Sequence, residues 1–259
     1  MAAFDRQSFS LTGKVALITG GARGLGKYYS LALSLYGADI FIVSQSKTGW
    51  DDVKQAIEAN GQRVAFLQQD ITKPGCAADI VAQVVAQFGR LDILVNNAGM
   101  QLRNDVLAFK DEDWRRVIDL NLNALYYLSH AAAQEMVKQH AGKIINVGSM
   151  QSYRAGKYIF PYTASKHGVM GLTKAYADAL APENIQVNGI APGYISTDMT
   201  KPLQEDPVRG PEIASHIPAG QWGVPDQLMG PMVFLASAAS DYVTGVMLPV
   251  DGGYLLRWV

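Results

Sequence analysis

Lys14-Val15-Ala16-Leu17-Ile18-Thr19-Gly20-Gly21-Ala22-Arg23-Gly24-Leu25-Gly26 decides the fold of this 259-residue chain. Residues 14–19 are a short apolar run, the pattern of a strand buried on both faces. Gly20, Gly21, Gly24 and Gly26 then break it, because backbone without a Cβ turns sharply and approaches other groups closely. Residues 23–36 carry a helical pattern, and Gly37 suits the left-handed position that closes a helix. A strand, a glycine-rich turn and a helix in that order aim amide N–H groups at an anion such as a pyrophosphate. The spacing is G-x3-G-x-G rather than the commoner G-x-G-x-x-G, and taken alone the loop also reads as an ordinary tight turn.

The same rhythm continues outward. Strands are expected at 39–43, 63–69, 92–96, 142–148, 185–190 and 246–250. Helices are expected at 50–60, 75–88, 111–139, 161–180 and 225–237. The long helix at 111–139 has an acidic first turn, which the helix dipole favours. Alternating apolar strands and helices mean a parallel sheet covered on both faces. A closed eight-fold barrel is the competing arrangement, and the glycine-rich turn after the first strand favours an open, doubly wound α/β sheet. Residues 194–221, with Pro202, Pro207, Pro211 and Pro218, read as irregular. Regular elements resume on both sides, so the segment reads as a functional lid within one domain spanning 1–259, not as a linker.

Composition excludes several classes. Lys plus Arg is 22 and Asp plus Glu is 23, so the net charge of −1 gives no whole-chain footprint for nucleic acid or an anionic membrane. No apolar run approaches the roughly 18 residues of a membrane span. Residues 1–13 hold Asp5 and Arg6 and no long apolar core, unlike a secretory signal. The single cysteine, Cys76, forbids an internal disulfide and suits a reducing compartment, so a cytoplasmic location is expected. His130, His140, His167 and His216 form no i, i+4 pair, and no metal is expected. Charged residues are 17 %, below the usual share of about 25 %, which suggests surface buried between subunits.

The chemistry sits in the second half. Tyr162 and Lys166 share one helix face, and an ammonium beside a phenol favours the phenolate, giving an acid/base usable near neutral pH. Tyr153 and Lys157 match the same Y-x3-K spacing, but Gly156 interrupts them. Ser149 lies thirteen residues before Tyr162 at the carboxyl end of a strand, where open α/β sheets bind substrate, so Tyr162 is preferred. Asn96-Asn97-Ala98-Gly99 closes the fourth strand at the same edge, or is a plain turn. At the end of the second strand, where an acid reads the ribose 2′-hydroxyl, stands Ser44. Arg23, with Lys47 nearby, either faces a 2′-phosphate or is a solvated first-turn residue.

Together these pieces resemble the short-chain dehydrogenase/reductase family, from about residue 10 to 254. Thr19-Gly20-x3-Gly24-x-Gly26, Asn96-Asn97-Ala98-Gly99, Asn121, Ser149, Tyr162-x3-Lys166 and Pro192-Gly193 fall in family order. The resemblance implies a seven-stranded Rossmann sheet, hydride transfer with NAD(H) or NADP(H), and a homotetramer. It makes Tyr162 the acid/base, Lys166 the holder of the nicotinamide ribose, Ser149 the orienter of the carbonyl and Asn121 the anchor of a relay water. Gly20, Arg23, Gly24, Leu25, Gly26 and Ser44 would face the pyrophosphate and adenosine end. Asp70 and Ile71 would face adenine, and Asn97, Ala98 and Gly99 the adenosine ribose. Pro192, Gly193, Ile195 and Thr197 would hold the nicotinamide amide. Ser44, where NAD-preferring members often carry Asp, leaves the cofactor open, with a lean to NAD(H).

Residues 217–223, 226–231 and 251–253 look like those of sugar-acid dehydrogenases in that family, which interconvert a secondary alcohol and a ketone on a six-carbon sugar acid. A carboxylate suits arginine, whose planar fork binds it in two places. Arg103, Arg154 and Arg209 stand around the expected mouth, Arg103 ranked first and Lys201 a weaker candidate; each singly also reads as a solvated surface charge. The alternatives are a polyol, steroid or acyl-carrier thioester substrate, or a dinucleotide sensor without catalysis.

Overall fold

The computed structural model describes residues 5–257. The readings of residues 1–13 and of the outer ends of the 1–259 unit lie partly outside them. Seven strands, β1 (Val15–Thr19), β2 (Asp39–Ser44), β3 (Val64–Gln68), β4 (Ile93–Asn96), β5 (Gly142–Val147), β6 (Ile185–Pro192) and β7 (Met247–Val250), form one sheet in the order β3-β2-β1-β4-β5-β6-β7. Every neighbouring pair is parallel. The open, doubly wound arrangement is therefore the one adopted, not the barrel. The strand order reverses between β1 and β4, which opens a crevice at their carboxyl ends.

Successive strand residues face opposite sides, and two separate cores result. Ile18, Ile42, Val95 and Ile145 pack under α1 (Gly24–Leu35), α2 (Trp50–Ala59) and α9 (Met229–Ala236). Their neighbours Leu17, Phe41, Leu94 and Ile144 pack under α3 (Cys76–Phe88) and α5 (Ala124–Gln139). Each fully buried aliphatic side chain contributes about 1.5–3 kcal/mol of transfer free energy, so both faces hold the sheet. At the amino edge, buried Asp92 receives Arg90 twice at 2.6 Å, Lys14 at 3.3 Å and the Val15 amide at 3.0 Å, which ties β4 to β1.

Two expectations need correction. The helix expected over 111–139 is α4 (Asp111–Ile118), a π-helical segment (Asp119–Asn123) and then α5. The segment at 194–221 is not irregular throughout: it contains α7 (Lys201–Gln204) and α8 (Arg209–His216). Pro202 and Pro211 fit because each lies in a first turn, where an N–H has no helical partner. This segment has a small core of its own, Ile213, Ile217 and Trp222 with Tyr194, Leu203 and Tyr254.

Candidate active site

The glycine loop is shaped for a close anionic guest. Gly20 (φ +66°) and Gly24 (φ +52°) adopt left-handed backbone, which other residues rarely accept. A Cβ on Gly26 would stand 2.2 Å from the Gly20 carbonyl oxygen, so α1 lies directly against the loop. Ser30 Oγ donates to the carbonyls of Gly21 and Gly26, both at 3.0 Å. Arg23 precedes α1 in extended conformation, and no side chain caps the helix start. A cradle without Cβ atoms beneath uncapped amides fits a dinucleotide pyrophosphate. Leu25 is half-buried beside it, and Arg23 is exposed.

Around the cradle, Ser44 ends β2 half-buried, its carbonyl accepting from the Gln69 amide at 2.9 Å. The Asp70 carboxylate accepts from Thr72 N (3.0 Å) and Oγ1 (2.7 Å), which hold it below the usual carboxylate range. Ile71 is buried, and its carbonyl accepts from Cys76 Sγ at 3.4 Å. Asn97 Nδ2 donates to the carbonyls of Thr19 (2.9 Å) and Gly20 (3.3 Å), while Thr19 Oγ1 accepts from the amides of Asn97 (2.9 Å) and Ala98 (2.8 Å). The Asn-Ala-Gly turn is thus stitched to the glycine loop, with Gly99 held against Asn121. Beyond β6, a Cβ on Gly193 would meet Asp251 Cα at 2.6 Å. Pro192 and Ile195 are buried, and the Thr197 amide donates to Thr200 Oγ1 at 2.9 Å.

Ser149, Tyr162 and Lys166 meet where β5 ends and α6 (Phe160–Leu180) begins. Ser149 Oγ accepts from the Gln151 amide at 3.1 Å, and the Tyr162 phenol hydrogen-bonds with the Ser149 side chain. Lys166 is buried, donates to the Val147 carbonyl at 2.6 Å and lies 5.5 Å from the centre of the Tyr162 ring. Burial pushes the Lys166 ammonium down to about 8. Burial also raises the Tyr162 phenol above its ordinary value, and the Ser149 bond opposes this only in part. The phenol is therefore shifted upward by its burial, and the expected lowering by the Lys166 ammonium is not among the causes. Asn121 lies in the π segment, its amide donating to Met100 O (2.9 Å) and Ser165 Oγ (3.2 Å) and accepting from Met100 N (2.8 Å).

The rival tyrosine is occupied elsewhere. Tyr153 donates to the Met247 carbonyl on β7, and Lys157 lies over the Tyr158 ring. Of the arginines, Arg103 is exposed, with its guanidinium 5.1 Å from the Tyr158 ring centre. Arg154 is half-buried, 4.9 Å from the Tyr254 ring centre, and its Nη1 is shielded from water without a hydrogen-bond partner. Arg209 opens α8, where its amide donates to Asp206 at 2.8 Å, and Lys201 pairs loosely with Glu205 at 3.8 Å.

Sequence reasoning gave Thr19 no role beyond its place in the glycine motif and missed Ser152 and Tyr254. Thr19 and Ser152 are bracing groups: Ser152 Oγ accepts from the Ser149 amide (3.3 Å) and donates to the Lys166 carbonyl (2.9 Å), joining the two motifs. The Ser149-x-x-Ser152 capping pattern was the available signal. Tyr254 at the mouth had none, being 100 positions from Arg154.

This cradle and this Ser-Tyr-Lys cluster at one sheet edge define a dinucleotide-dependent oxidoreductase. The short chain dehydrogenase model matches residues 14–208, and the chain belongs to that family. It is 49 % identical over 255 residues to the uncharacterized oxidoreductase YgcW of Escherichia coli strain K12, covering 98 % of this chain and 97 % of that one. It is 46 % identical over 254 residues to 2-dehydro-3-deoxy-D-gluconate 5-dehydrogenase of the same strain, covering 96 % and 98 %. Among solved structures, gluconate 5-dehydrogenase from Burkholderia cenocepacia J2315 in complex with NADP and tartrate is 36 % identical, with a TM-score of 0.93 over 97 % of this chain and 99 % of that one.

Proposed function

We propose that this chain interconverts a secondary alcohol and a ketone on a sugar acid, with 2-dehydro-3-deoxy-D-gluconate as the favoured substrate. The observation that carries this reading is full-length similarity to an enzyme of that name, joined to a complete Ser149–Tyr162–Lys166 cluster. The nicotinamide ring, when bound, takes up or delivers the hydride. Ser149 orients the substrate oxygen by a hydrogen bond. Tyr162, its proton retained near neutral pH, donates that proton to the oxygen as the ketone is reduced and recovers one in the reverse direction. Lys166, anchored on Val147, holds the nicotinamide ribose. Asn121 holds the backbone around a relay water.

Gly20, Gly24, Leu25 and Gly26 hold the pyrophosphate, Arg23 and Ser44 the adenosine ribose, and Asp70 and Ile71 the adenine. Asn97, Ala98 and Gly99 line the ribose, and Pro192, Gly193, Ile195 and Thr197 the nicotinamide amide. With serine at 44 neither cofactor is repelled. Family resemblance leans to NAD(H) while the solved relative above holds NADP, so the proposal is that both are accepted. Arg103, Arg154 and Arg209 surround the substrate carboxylate, and residues 194–221 act as a lid. Among the described residues no helix is long and apolar enough to cross a membrane, and the enzyme is taken to work in the cytoplasm as a homotetramer.

The test is a set of initial rates with 2-dehydro-3-deoxy-D-gluconate and a neutral polyol of equal length, each with both cofactors. The acid should be strongly preferred. A polyol turned over equally well would refute the sugar-acid assignment.

A further inference from the structure

We propose that Arg154 is the ligand of the substrate carboxylate and that Tyr254, in the turn after β7, is the positioning residue that presents it. This rests on the sugar-acid reading and assigns its recognition to a particular pair. Arg154 follows Ser149 by five residues in the loop leaving β5. Tyr194 follows β6, and Tyr254 follows β7. These three strands are consecutive neighbours in a parallel sheet, so their carboxyl ends bring the pair to the edge that carries Ser149 and Tyr162.

The loop bearing Arg154 is fixed on both sides. The Gln151 amide, in the orientation that satisfies its neighbours, donates to the carbonyls of Arg154 and Ala155, both at 3.1 Å. Tyr153 is tied to the Met247 carbonyl. The guanidinium therefore has a defined place, and it rests 4.9 Å from the centre of the Tyr254 ring. That ring belongs to a small cluster of edge-to-face aromatic rings, with Tyr194 5.1 Å from Tyr254 and 5.0 Å from Trp222. The turn is secured by Asp251, whose two oxygens accept from the amides of Gly253 and Leu255 at 2.9 Å each. It is also tied to α8 by Arg257 Nη1 donating to the Ser215 carbonyl at 2.7 Å.

What Arg154 lacks, among the described residues, is a paired carboxylate. A guanidinium is a strong multiple donor, and shielding one of its nitrogens from water without an acceptor is unfavourable. Yet Arg154 forms no salt bridge among the described residues, and its Nη1 donates to nothing. Asp251, in the same turn, accepts the amides of Gly253 and Leu255 and makes no salt bridge with Arg154. The charges of Arg154 and Arg209 both act on the Tyr194 phenol, so a second cation flanks the same spot. A substrate carboxylate supplies the acceptor that the fold withholds. Arg103, exposed on an exposed tyrosine, has no such unmet need.

Steady-state kinetics on the full-length enzyme test this, with the sugar acid and the neutral polyol, alongside calorimetric binding of tartrate to the enzyme with NADP. Losing a charge-assisted pair should raise KM for the acid about ten- to hundredfold in Arg154→Met, with kcat and KM for cofactor nearly unchanged and tartrate binding lost. Arg154→Lys, which keeps the charge but not the fork, should fall between. Tyr254→Leu should reproduce part of the KM rise without a fall in kcat, and Tyr254→Phe, which keeps the ring, should restore it; a merely structural role would move kcat and melting temperature instead. If wild type prefers the acid but Arg154→Met retains its KM and tartrate affinity, the Arg154 assignment is overturned and the sugar-acid reading stands. If wild type does not distinguish acid from polyol, both fall. Should Arg154→Met not fold, an Arg154→Lys variant with unchanged KM overturns the assignment as well.

Discussion

Tyr153 and Tyr162 each precede a lysine by four residues, and their surroundings separate them. Tyr153 ends on a β7 carbonyl, whereas Tyr162 meets a serine hydroxyl and lies beside a buried ammonium. Tyr162→Phe should therefore lower kcat by about 10²–10⁴-fold while leaving cofactor affinity intact, as checked by rates and a fluorescence titration. Tyr153→Phe should cost about 1 kcal/mol of stability and little activity. The reverse outcome would move the acid to Tyr153. Lys166 gives a second, independent handle. Its pKa falls from 10.5 to about 8 in the folded chain, so between those values the unfolded state binds the extra proton. Stability should then rise with pH across that window, by up to about 3 kcal/mol, and show no slope from this group below it. Urea unfolding of wild type and Lys166→Met across that window checks the sign. Equal slopes in both proteins would sink it.

Elements were legible in proportion to how local their causes are. The strands announce themselves as apolar runs between glycines, and Gly26 and Gly37 mark contacts that leave no room for a Cβ. The serine, tyrosine and lysine were legible because one helical turn and one strand end bring them together. The π segment at Asp119–Asn123 was not, because its cause is tertiary: Asn121 pairs both polar groups of the Met100 backbone, 21 residues away. Likewise α7 and α8 were hidden by prolines that only their first-turn positions excuse. The Arg154–Tyr254 contact depends on the ends of β5 and β7 being brought to one sheet edge, which no local pattern encodes. A consequence follows for the π segment. Asn121→Ala strips the partners from two Met100 backbone groups, and each buried group left unsatisfied costs about 1–3 kcal/mol. Denaturant unfolding should show a loss of about 2–4 kcal/mol together with reduced turnover. A loss well below 1 kcal/mol would mean that the wide turn stands without this side chain.

On the scale of the whole molecule, exposed aromatic and apolar surface gathers on α5 and α6. Tyr126 and Tyr127 on α5 are 41 % and 55 % exposed, and an apolar groove between α5 and α6 is lined by Ala133, Val137, Tyr176, Ala179 and Leu180. A second hollow between the same helices is bordered by Leu122, Tyr126, Gly168 and Leu172. Contiguous apolar surface of this kind is the expected place for the proposed subunit contact. A face built from two long helices suits a two-fold contact with its own copy, where each helix meets its equivalent. The same two helices carry the chemistry: α6 bears Tyr162 and Lys166, and α5 continues from the segment that holds Asn121. Association would therefore brace the site as well as cover the face. Sedimentation should give a mass near four times 28.0 kDa for wild type. Tyr126→Glu combined with Ala179→Glu places charge in the groove of every copy, and should lower that mass while circular dichroism stays native. Turnover should drop with the mass and recover at higher protein concentration, because dilution and mutation act on the same equilibrium. A wild type that sediments as a single chain, or a charged variant that keeps both wild-type mass and wild-type turnover, would remove α5 and α6 as the assembling face.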